Sequence, residues 1–495
     1  MKRGSGVIMH ISSLPGDYGI GTLGKEAYEY ADFLKKAGLG YWQILPLGHT
    51  SYGDSPYQCF SAFAGNPYFI DFDLLKEDGL LNKQDYEKCI CNEQHEAVDY
   101  SRLFNTKFWI LRIAYEKSKG KLDDEILNFR KEKALWIEDY SLYMAVKTKH
   151  KLLSWQEWEP NIRLRTKEAV EAYTVLLEDE INYWIFIQYV FFKQWDRLKK
   201  YVNNLGIKII GDIPIYVAAD SSDTWANSEL FKLDKDKRPI VVAGCPPDAF
   251  STTGQLWGNP VYDWDYLKNT DYRWWIHRIS ESLKLYDMIR IDHFRGFESY
   301  WEVPFGDKDA SSGRWAKGVG SELFKQIEKE LGNINVIAED LGYLTKEVKE
   351  FKKETGFPGM KVLQFAFSVN EASDYLPHQY THDCVVYTGT HDNDTVMGWI
   401  QKTGDRSEVM HATSYLNLSK EEGYYWGFIR GAWSSVADLA ITQMQDFLGL
   451  GNEARMNRPS TTHGNWVWRM KKNALTDDLA IKIYNLTKLY WRLNE

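Results

Sequence analysis

Short apolar runs rich in valine and isoleucine alternate along the chain with longer stretches of helical periodicity. This alternation predicts repeated strand–helix units, in which parallel strands are joined by helices. Eight runs fit strands, and eight parallel strands predict a (β/α)8 TIM barrel of the α/β class. The predicted strands span residues 6–12, 41–47, 207–213, 286–292, 334–339, 361–367, 384–390 and about 435–441. The last run, VADLAITQM, would fit a helix equally well.

The spacing of these strands is uneven, which predicts two insertions. Roughly 160 residues separate the second strand from the third, far more than one crossover helix needs. Residues 66–200 are therefore predicted to be a mostly helical insertion, whose last helix would belong to the barrel. Residues 218–285 are predicted to be a loop-rich insertion that covers the cleft, because loops of this length are usually functional. The whole chain, 1–495, is expected to be one catalytic barrel.

Four of the apolar runs end on an acidic residue within a short polar cluster. The acidic residues are Asp212, Asp292, Glu339 with Asp340, and Asp392. Because the carboxyl ends of barrel strands meet at one rim, these side chains are expected to lie together. Several carboxylates at one rim indicate an active site that moves protons and stabilises a developing positive charge.

The overall composition excludes some classes of function. The net charge is −9, so the chain lacks the basic surface that nucleic acids or anionic membranes require. No apolar run approaches the ~18 residues of a membrane span, and the N-terminus lacks a signal-peptide pattern. Five cysteines without a CxxC pair argue against a disulfide framework or structural zinc, and a cytoplasmic location is expected.

Aromatic residues are abundant, with 20 Trp, 31 Tyr and 23 Phe. Most are expected in the core, but some lie in polar, glycine-rich segments. These are Tyr52, Tyr57, Phe250, Trp257, Tyr262 and Trp264. Flat rings beside carboxylates and amides suit a sugar polymer, because a ring covers the apolar face of a pyranose while polar groups bond its hydroxyls.

Two of the acidic clusters suit the chemistry of a glycosidic bond, although each also has a structural interpretation. Arg290 and Asp292 are two apart on a strand and share a face, where the arginine would keep the aspartate ionised as a nucleophile. A buried ion pair is the alternative. Glu339 follows a strongly apolar run, and partial burial would raise its pKa as a general acid requires. Helix capping by the acidic pair is the alternative, for which Asp340 is better suited.

The cluster THDNDT is open to the same two interpretations. Asp392 would bind sugar hydroxyls and favour a distorted, oxocarbenium-like state. A polar turn that uses its side chains for backbone bonds is the alternative. Taken alone, His391 is better explained as a hydrogen-bonded structural histidine.

Two further motifs indicate other chemistry and are set aside. GIGTLG, residues 19–24, matches the dinucleotide fingerprint between a predicted strand and helix. The fingerprint's acid about 20 residues later is missing, so a glycine-rich turn is preferred and no cofactor is expected. His378 and His382 have helical i,i+4 spacing, but Pro377 argues against a metal pair on a helix, and no metal is predicted.

Motifs along most of the chain resemble those of a known family. RIDHFRGF, IAEDLG and THDNDT, with GDIPIYV upstream, resemble conserved regions of the α-amylase clan. The chain is more closely similar to the 4-α-glucanotransferases of the amylomaltase (disproportionating enzyme) type. The motifs that carry this resemblance are SSLPGDYGIGTLG, WQILPLG, DSPYQCFSAFAGNP, GCPPDAFSTTGQLWGNPVYDW, LQFAF, YLPHQYTHD and GNWVWR. They lie between residues 12 and 469, and the PPDAFS…GQLWGNPVYDW segment is not a general amylase feature.

The resemblance implies transfer of α-1,4-glucan segments from one malto-oligosaccharide to the 4-hydroxyl of another by a retaining double displacement. It implies Asp292 as nucleophile, Glu339 as general acid/base and Asp392 as transition-state stabiliser. It also implies glucan-binding roles for Ser55, Tyr57, Asp212, Asp248, Gln255, Trp257, Arg290, His391 and Asn465. Ser368 stands where the family usually has an acidic residue, which leaves one hydroxyl contact in the donor subsites open.

Three classes of function remain at this point. Transfer is preferred, because the aromatic-rich segment 245–264 is expected to exclude water from the cleft. We name residues 245–264 the cover segment. An α-1,4-glucan hydrolase is second, because two carboxylates alone do not decide whether water or sugar is the acceptor. A nucleotide-dependent sugar oxidoreductase or an inactive glucan-binding protein is third.

Overall fold

The computed structural model describes residues 2–51, 53–90, 97–247, 251–342, 344–371, 373–402, 406–461 and 463–494. The strands within these ranges are β1 (Gly4–Ile8), β2 (Tyr41–Gln43), β3 (Lys208–Pro214), β4 (Val241–Cys245), β5 (Gln255–Pro260), β6 (Met288–Asp292), β7 (Ser299–Pro304), β8 (Arg314–Lys317), β9 (Val336–Ala338), β10 (Gly359–Val362), β11 (Cys384–Tyr387) and β12 (Leu439–Gln443).

Eight of the described strands form a closed parallel barrel in the order β1-β12-β11-β10-β9-β6-β3-β2. The first strand closes the barrel, because β1 pairs in parallel with both β2 and β12. The predicted (β/α)8 barrel is therefore confirmed, and each of the eight predicted strands overlaps one of these barrel strands.

Each of the eight barrel strands differs from the prediction in at least one bound; β2, for example, ends at Gln43 and not at residue 47. For two strands the neighbouring structure gives the reason. The strand predicted over 361–367 ends at Val362, because a 3₁₀ helix takes Leu363–Ala366. The strand predicted to begin at about 435 begins at Leu439. The carbonyls of Ser435 and Ala437 accept hydrogen bonds from a guanidinium group instead of joining the sheet.

The helices surround the barrel and fill the long connections between its strands. Helix α1 (Lys25–Lys36) joins β1 to β2. Between β2 and β3 the described helices are α2 (Phe72–Glu77), α3 (Lys83–Tyr86), α4 (Tyr100–Ser118), α5 (Asp123–Glu132), α6 (Ile137–Lys149), α7 (Pro160–Arg163), α8 (Lys167–Leu176) and α9 (Glu178–Asn204). The later helices are α10 (Ser222–Ala226), α11 (Trp264–Asn269), α12 (Arg273–Leu285), α13 (Glu322–Leu331), α14 (Lys346–Thr355), α15 (Val396–Ile400), α16 (Ser407–Leu416), α17 (Tyr424–Trp433), α18 (Met444–Phe447) and α19 (Asp477–Leu489). The division of the chain into insertions at 66–200 and 218–285 stays a proposal.

An apolar cluster inside the barrel lies below the polar rim. Its buried members come from all eight barrel strands: Ile8, Tyr41, Ile210, Met288, Ile337, Met360, Val362, Val385, Tyr387, Leu439 and Ile441. Alternate residues of a strand face the same side, so Asp212 shares the face of Ile210, and Arg290 shares the face of Met288. The same alternation that fills the barrel therefore brings charged side chains to its mouth.

A second, antiparallel sheet lies outside the barrel and was not predicted. Its order is β5-β4-β7-β8, and the register places Cys245 opposite Gln255. The cover segment therefore begins on the last residue of β4 and contains β5. The sequence predicts loop structure here because glycines and prolines interrupt the strand pattern around residues 244–260.

Arg492 occupies a fully buried position beside the first and last barrel strands. Its guanidinium donates hydrogen bonds to the backbone carbonyls of Gly4, Trp433, Ser435, Ala437 and Asp438. One side chain near the end of the described chain therefore joins the segments that begin β1 and β12.

We expect Arg492→Ala to lower the free energy of unfolding by ~3 kcal/mol or more, because it removes a fully buried side chain together with its hydrogen bonds to five backbone carbonyls. Urea unfolding followed by circular dichroism measures this change. Arg273 is an exposed arginine on α12, and Arg273→Ala is the matched control, expected to change stability by no more than ~0.5 kcal/mol. Equal stability of the two variants would contradict the role given to Arg492.

Candidate active site

Arg290 joins two carboxylates from neighbouring barrel strands. The residue is only 3% exposed, and its guanidinium donates to Asp212 Oδ2 at 2.6 Å and to Asp292 Oδ1 at 2.9 Å. The Tyr57 hydroxyl donates to the same oxygen of Asp212 at 2.8 Å. Burial and the charge of Asp292 raise the pKa of Asp212 in spite of Arg290. Arg290 thus fixes the orientation of Asp292 at the end of β6.

Glu339 follows β9 directly and accepts two backbone hydrogen bonds. The donors are His293 N, at 2.8 Å from Oε2, and Leu341 N, at 2.9 Å from Oε1. Burial, reinforced by the charge of Asp292, raises the pKa of Glu339 to about 7, although Arg290 and the two bonds oppose the shift. A carboxyl group that keeps its proton near neutral pH is suited to general acid catalysis.

Asp340 has a different role from the helix cap suggested as an alternative. It accepts a hydrogen bond from Met360 N at 2.7 Å and forms an ion pair with Lys352 Nζ at 2.6 Å. The cap of α14 is Thr345, whose side chain accepts from Val348 N. The capping interpretation of Asp340 was therefore wrong, and this carboxylate ties β9 to β10.

Asp392 is held by three neighbours at the mouth of the barrel. His391 Nε2 lies 3.4 Å from Asp392 Oδ2, and Asn457 Nδ2 donates to Oδ1 at 2.6 Å. The guanidinium of Arg455 donates to the Asp392 backbone carbonyl at 2.6 Å. Burial opposes ionisation, but His391, Asn457 and Arg290 together hold the pKa of Asp392 below its usual range. The site therefore keeps a fixed negative charge here.

Aromatic rings line one side of the carboxylates. The rings of Tyr57 and His391 stack at 5.1 Å with an interplanar angle of 20°. The Trp466 ring lies 5.8 Å from Tyr57 and 5.9 Å from His391. All three side chains have limited freedom, so the hydroxyl of Tyr57 and the imidazole of His391 are presented in fixed positions.

Trp257 brings the cover segment to the catalytic rim. Its Nε1 donates to Gln255 Oε1 at 3.2 Å, and its ring meets the His293 ring edge-on at 4.8 Å. His293 has a positive φ of 50°, which is uncommon for a residue with a side chain. It follows Asp292 directly, and its backbone N–H is one of the two that donate to Glu339.

Two further residues predicted to bind glucan, Ser55 and Asn465, form hydrogen bonds with residues near them in sequence. Ser55 Oγ accepts from Tyr57 N at 3.3 Å. Asn465 accepts from Arg458 N at 2.9 Å and donates to Thr461 O at 3.0 Å, so its amide closes its own loop. Asp248 lies outside the described residues.

Sequence reasoning missed several residues of this site. Asn457 and Arg455 contact Asp392, and His293 contacts both Glu339 and Trp257. For His293, the position directly after Asp292 was an available signal. For Asn457 and Arg455, more than 60 residues separate the donors from Asp392, and nothing local marks them.

The site combines three carboxyl groups. Asp292 is bonded to the guanidinium of Arg290, Glu339 keeps its proton near neutral pH, and Asp392 stays ionised. This set can attack an electrophilic carbon, protonate a leaving oxygen and stabilise positive charge between them. Within the described ranges, no three His, Cys, Asp or Glu side chains are grouped as metal ligands. No helix in the same ranges combines the length and apolarity needed to cross a bilayer.

Comparison with known proteins gives a consistent result. A family model described as 4-alpha-glucanotransferase matches residues 9–476. A 4-alpha-glucanotransferase of Clostridium butyricum is 58% identical over 485 residues, which cover 98% of this chain and 100% of that protein. One from Thermus thermophilus is 45% identical over the full length of both chains.

A solved structure also closely matches the fold of this chain. It is that of an amylomaltase from Streptococcus agalactiae in complex with acarbose, with a TM-score of 0.96 and 44% sequence identity. The superposition covers 99% of this chain and 100% of the other. The closed barrel, the three carboxylates at its mouth and these full-length matches lead to one conclusion: the chain belongs to the family of 4-alpha-glucanotransferases.

Proposed function

We propose that this enzyme transfers α-1,4-glucan segments between malto-oligosaccharides by a retaining double displacement. The observation that carries the proposal is the pairing of Asp292, oriented by Arg290, with Glu339, whose pKa is raised to about 7. The amylomaltase of known structure was solved with acarbose, which supports an oligosaccharide as the ligand of the same cleft. We also propose a cytoplasmic location, which the odd number of cysteines favours.

In the first displacement, a carboxylate oxygen of Asp292 attacks the anomeric carbon of the donor glucan. The glycosidic C–O bond breaks, and Glu339 gives its proton to the departing oxygen, which becomes the 4-hydroxyl of the released fragment. The product is a glycosyl ester on Asp292, and Glu339 is left ionised. The negative charge of Asp392 stabilises the positive charge that develops on the sugar.

In the second displacement, the 4-hydroxyl of another glucan attacks the same carbon. Its proton passes to Glu339, a new glycosidic bond forms, and the ester bond to Asp292 breaks. Two inversions at one carbon restore the α configuration. Ser55, Tyr57, Asp212, Asp248, Gln255, Trp257, Arg290, His391 and Asn465 are proposed as glucan-binding residues. For Asn465 the support is weaker, since its amide bonds lie within its own loop.

Incubation of the purified enzyme with maltotriose, without any cofactor, tests this function. We expect glucose together with a ladder of longer oligosaccharides, resolved by size. Glucose and maltose without longer species would mean that water is the acceptor and would support the hydrolase. No product would contradict the proposal and revive the binding or cofactor-dependent alternatives.

The raised pKa of Glu339 predicts how activity depends on pH. Glu339 must carry its proton to act as the acid, and its pKa in the free enzyme is about 7. The value of kcat/KM for maltotriose is therefore expected to fall about tenfold per pH unit above this pKa. An α-maltosyl fluoride donor is the control, because fluoride leaves without protonation and the alkaline decline of the first step should disappear. The same decline with both donors would contradict the assignment.

A further inference from the structure

The part of the cover segment just before β5 is attached to a neighbouring hairpin through Thr253 and Gly254. We name residues 305–313, which join β7 to β8, the support hairpin. The backbone N–H of Ala310 donates to the Thr253 carbonyl at 3.1 Å. The Ala310 carbonyl accepts from Trp301 Nε1 at 2.9 Å. One fully buried residue of the hairpin thus links the cover segment to an indole on β7.

Close packing reinforces this attachment. Gly254 has a φ of +69°, and a Cβ added there would lie 3.0 Å from Ala310 Cβ. Ala310 also forms a small buried cluster with Val242 and Val303, against which the Trp301 ring packs. The segment and the hairpin are therefore in van der Waals contact at the point where they share a hydrogen bond, so movement of one displaces the other.

A short series of contacts leads from this attachment to the catalytic acid. Gln255 directly follows Gly254 and accepts the Trp257 indole N–H at 3.2 Å. The Trp257 ring rests on His293 at 4.8 Å. The backbone N–H of His293 donates to Glu339 Oε2 at 2.8 Å. The support hairpin is therefore connected, through the residues next to Gln255 and Trp257, to the backbone beside the acid.

We infer that Trp301 and Ala310 are positioning residues that set the ratio of transfer to hydrolysis. This inference rests on the proposed function. Both residues act through Thr253 and Gly254 on the cover segment.

The chemistry of the second displacement explains why this position matters. The glycosyl ester on Asp292 is broken either by a sugar 4-hydroxyl or by water. In both cases the attacking oxygen bonds to the anomeric carbon, its proton passes to Glu339 and the Asp292 carboxylate is released. A well-seated cover segment orients a sugar acceptor and excludes water. A loosened segment gives water more access and orients the sugar less well.

Trp301→Phe tests the inference, because it keeps an aromatic ring but removes the donor to Ala310. We expect the ratio of new reducing ends to transferred glucan, measured with maltotriose, to rise roughly fivefold, the effect of losing one hydrogen bond of ordinary strength. Ala310→Val is a second variant, because its added methyl groups press on Gly254, and it should raise the same ratio.

Two matched controls separate this effect from general damage. Trp315→Phe changes the 45%-exposed partner that packs against Trp301 at 5.4 Å on the same sheet. Lys308→Ala shortens an exposed side chain of the same hairpin at a position without a positive φ. Both should keep the wild-type ratio. Wild-type ratios in folded Trp301→Phe and Ala310→Val, or an equal rise in the controls, would overturn the inference, whereas a wild-type enzyme that makes no ladder would instead overturn the proposed function.

Discussion

Replacing Asp292 with asparagine is expected to reduce glucan transfer by a factor of ~10⁴ or more, because an amide does not form the glycosyl ester. The variant should fold normally, since an asparagine oxygen can still accept the hydrogen bond that Arg290 gives to Asp292. Initial rates with maltotriose and the circular dichroism spectrum measure the two effects separately. Near-normal turnover in Asp292→Asn would refute its assignment as nucleophile.

A matched control for this experiment lies close by. Asp340 is also an aspartate at a strand end, but its carboxylate bonds Met360 N and Lys352 away from Glu339. Asp340→Asn should therefore lose some stability and keep most of its activity. A loss of activity as large as that of Asp292→Asn would mean that removal of any carboxylate at this rim disables the site.

Replacing Glu339 with alanine is expected to slow transfer from maltotriose by ~10²–10⁴-fold, the range for loss of a general acid and base. Mass spectrometry and product analysis with an α-maltosyl fluoride donor separate the two roles. The first step should recover, because fluoride needs no proton, and the glycosyl ester on Asp292 should accumulate. Added azide should then release an α-maltosyl azide, because a small anion needs no general base.

Glu339→Gln is the companion variant, because its amide oxygen can still accept a bond from His293 N or Leu341 N. It should lose activity on maltotriose as Glu339→Ala does, while disturbing the local backbone less. A β-configured azide product, or full activity of either variant on maltotriose, would be incompatible with the proposed double displacement.

The barrel and the clustering of its acids could be predicted because both depend on local patterns. Apolar runs define strands, and a residue at a strand's carboxyl end must lie on the common rim. Asp212, Asp292 and Glu339 were found in this way. The run VADLAITQM fits either a helix or a strand. It contains the strand Leu439–Gln443, so the predicted strand exists and only its bounds differ.

The contacts that complete the site could not be predicted, because they join residues that are far apart in sequence. Arg290 was expected to pair with Asp292, but its second bond, to Asp212, crosses to another strand. Of two asparagines in one late segment, the residue that reaches Asp392 is Asn457, whereas Asn465 closes a loop. The second sheet was missed for a related reason, since glycines interrupt β4 and β5, and β4 is paired with the distant strand β7.

The closure of the barrel has a consequence for how the protein is made. The strand β1 lies at the beginning of the chain, yet its partner β12 ends at Gln443. At a synthesis rate of ~5–20 residues per second, β1 waits roughly 20–90 s for this partner to emerge from the ribosome. Until then the nascent chain carries an unpaired sheet edge, which is a template for aggregation. Slower growth at low temperature, or extra chaperone, should therefore raise the yield of folded enzyme more than any change to the catalytic rim.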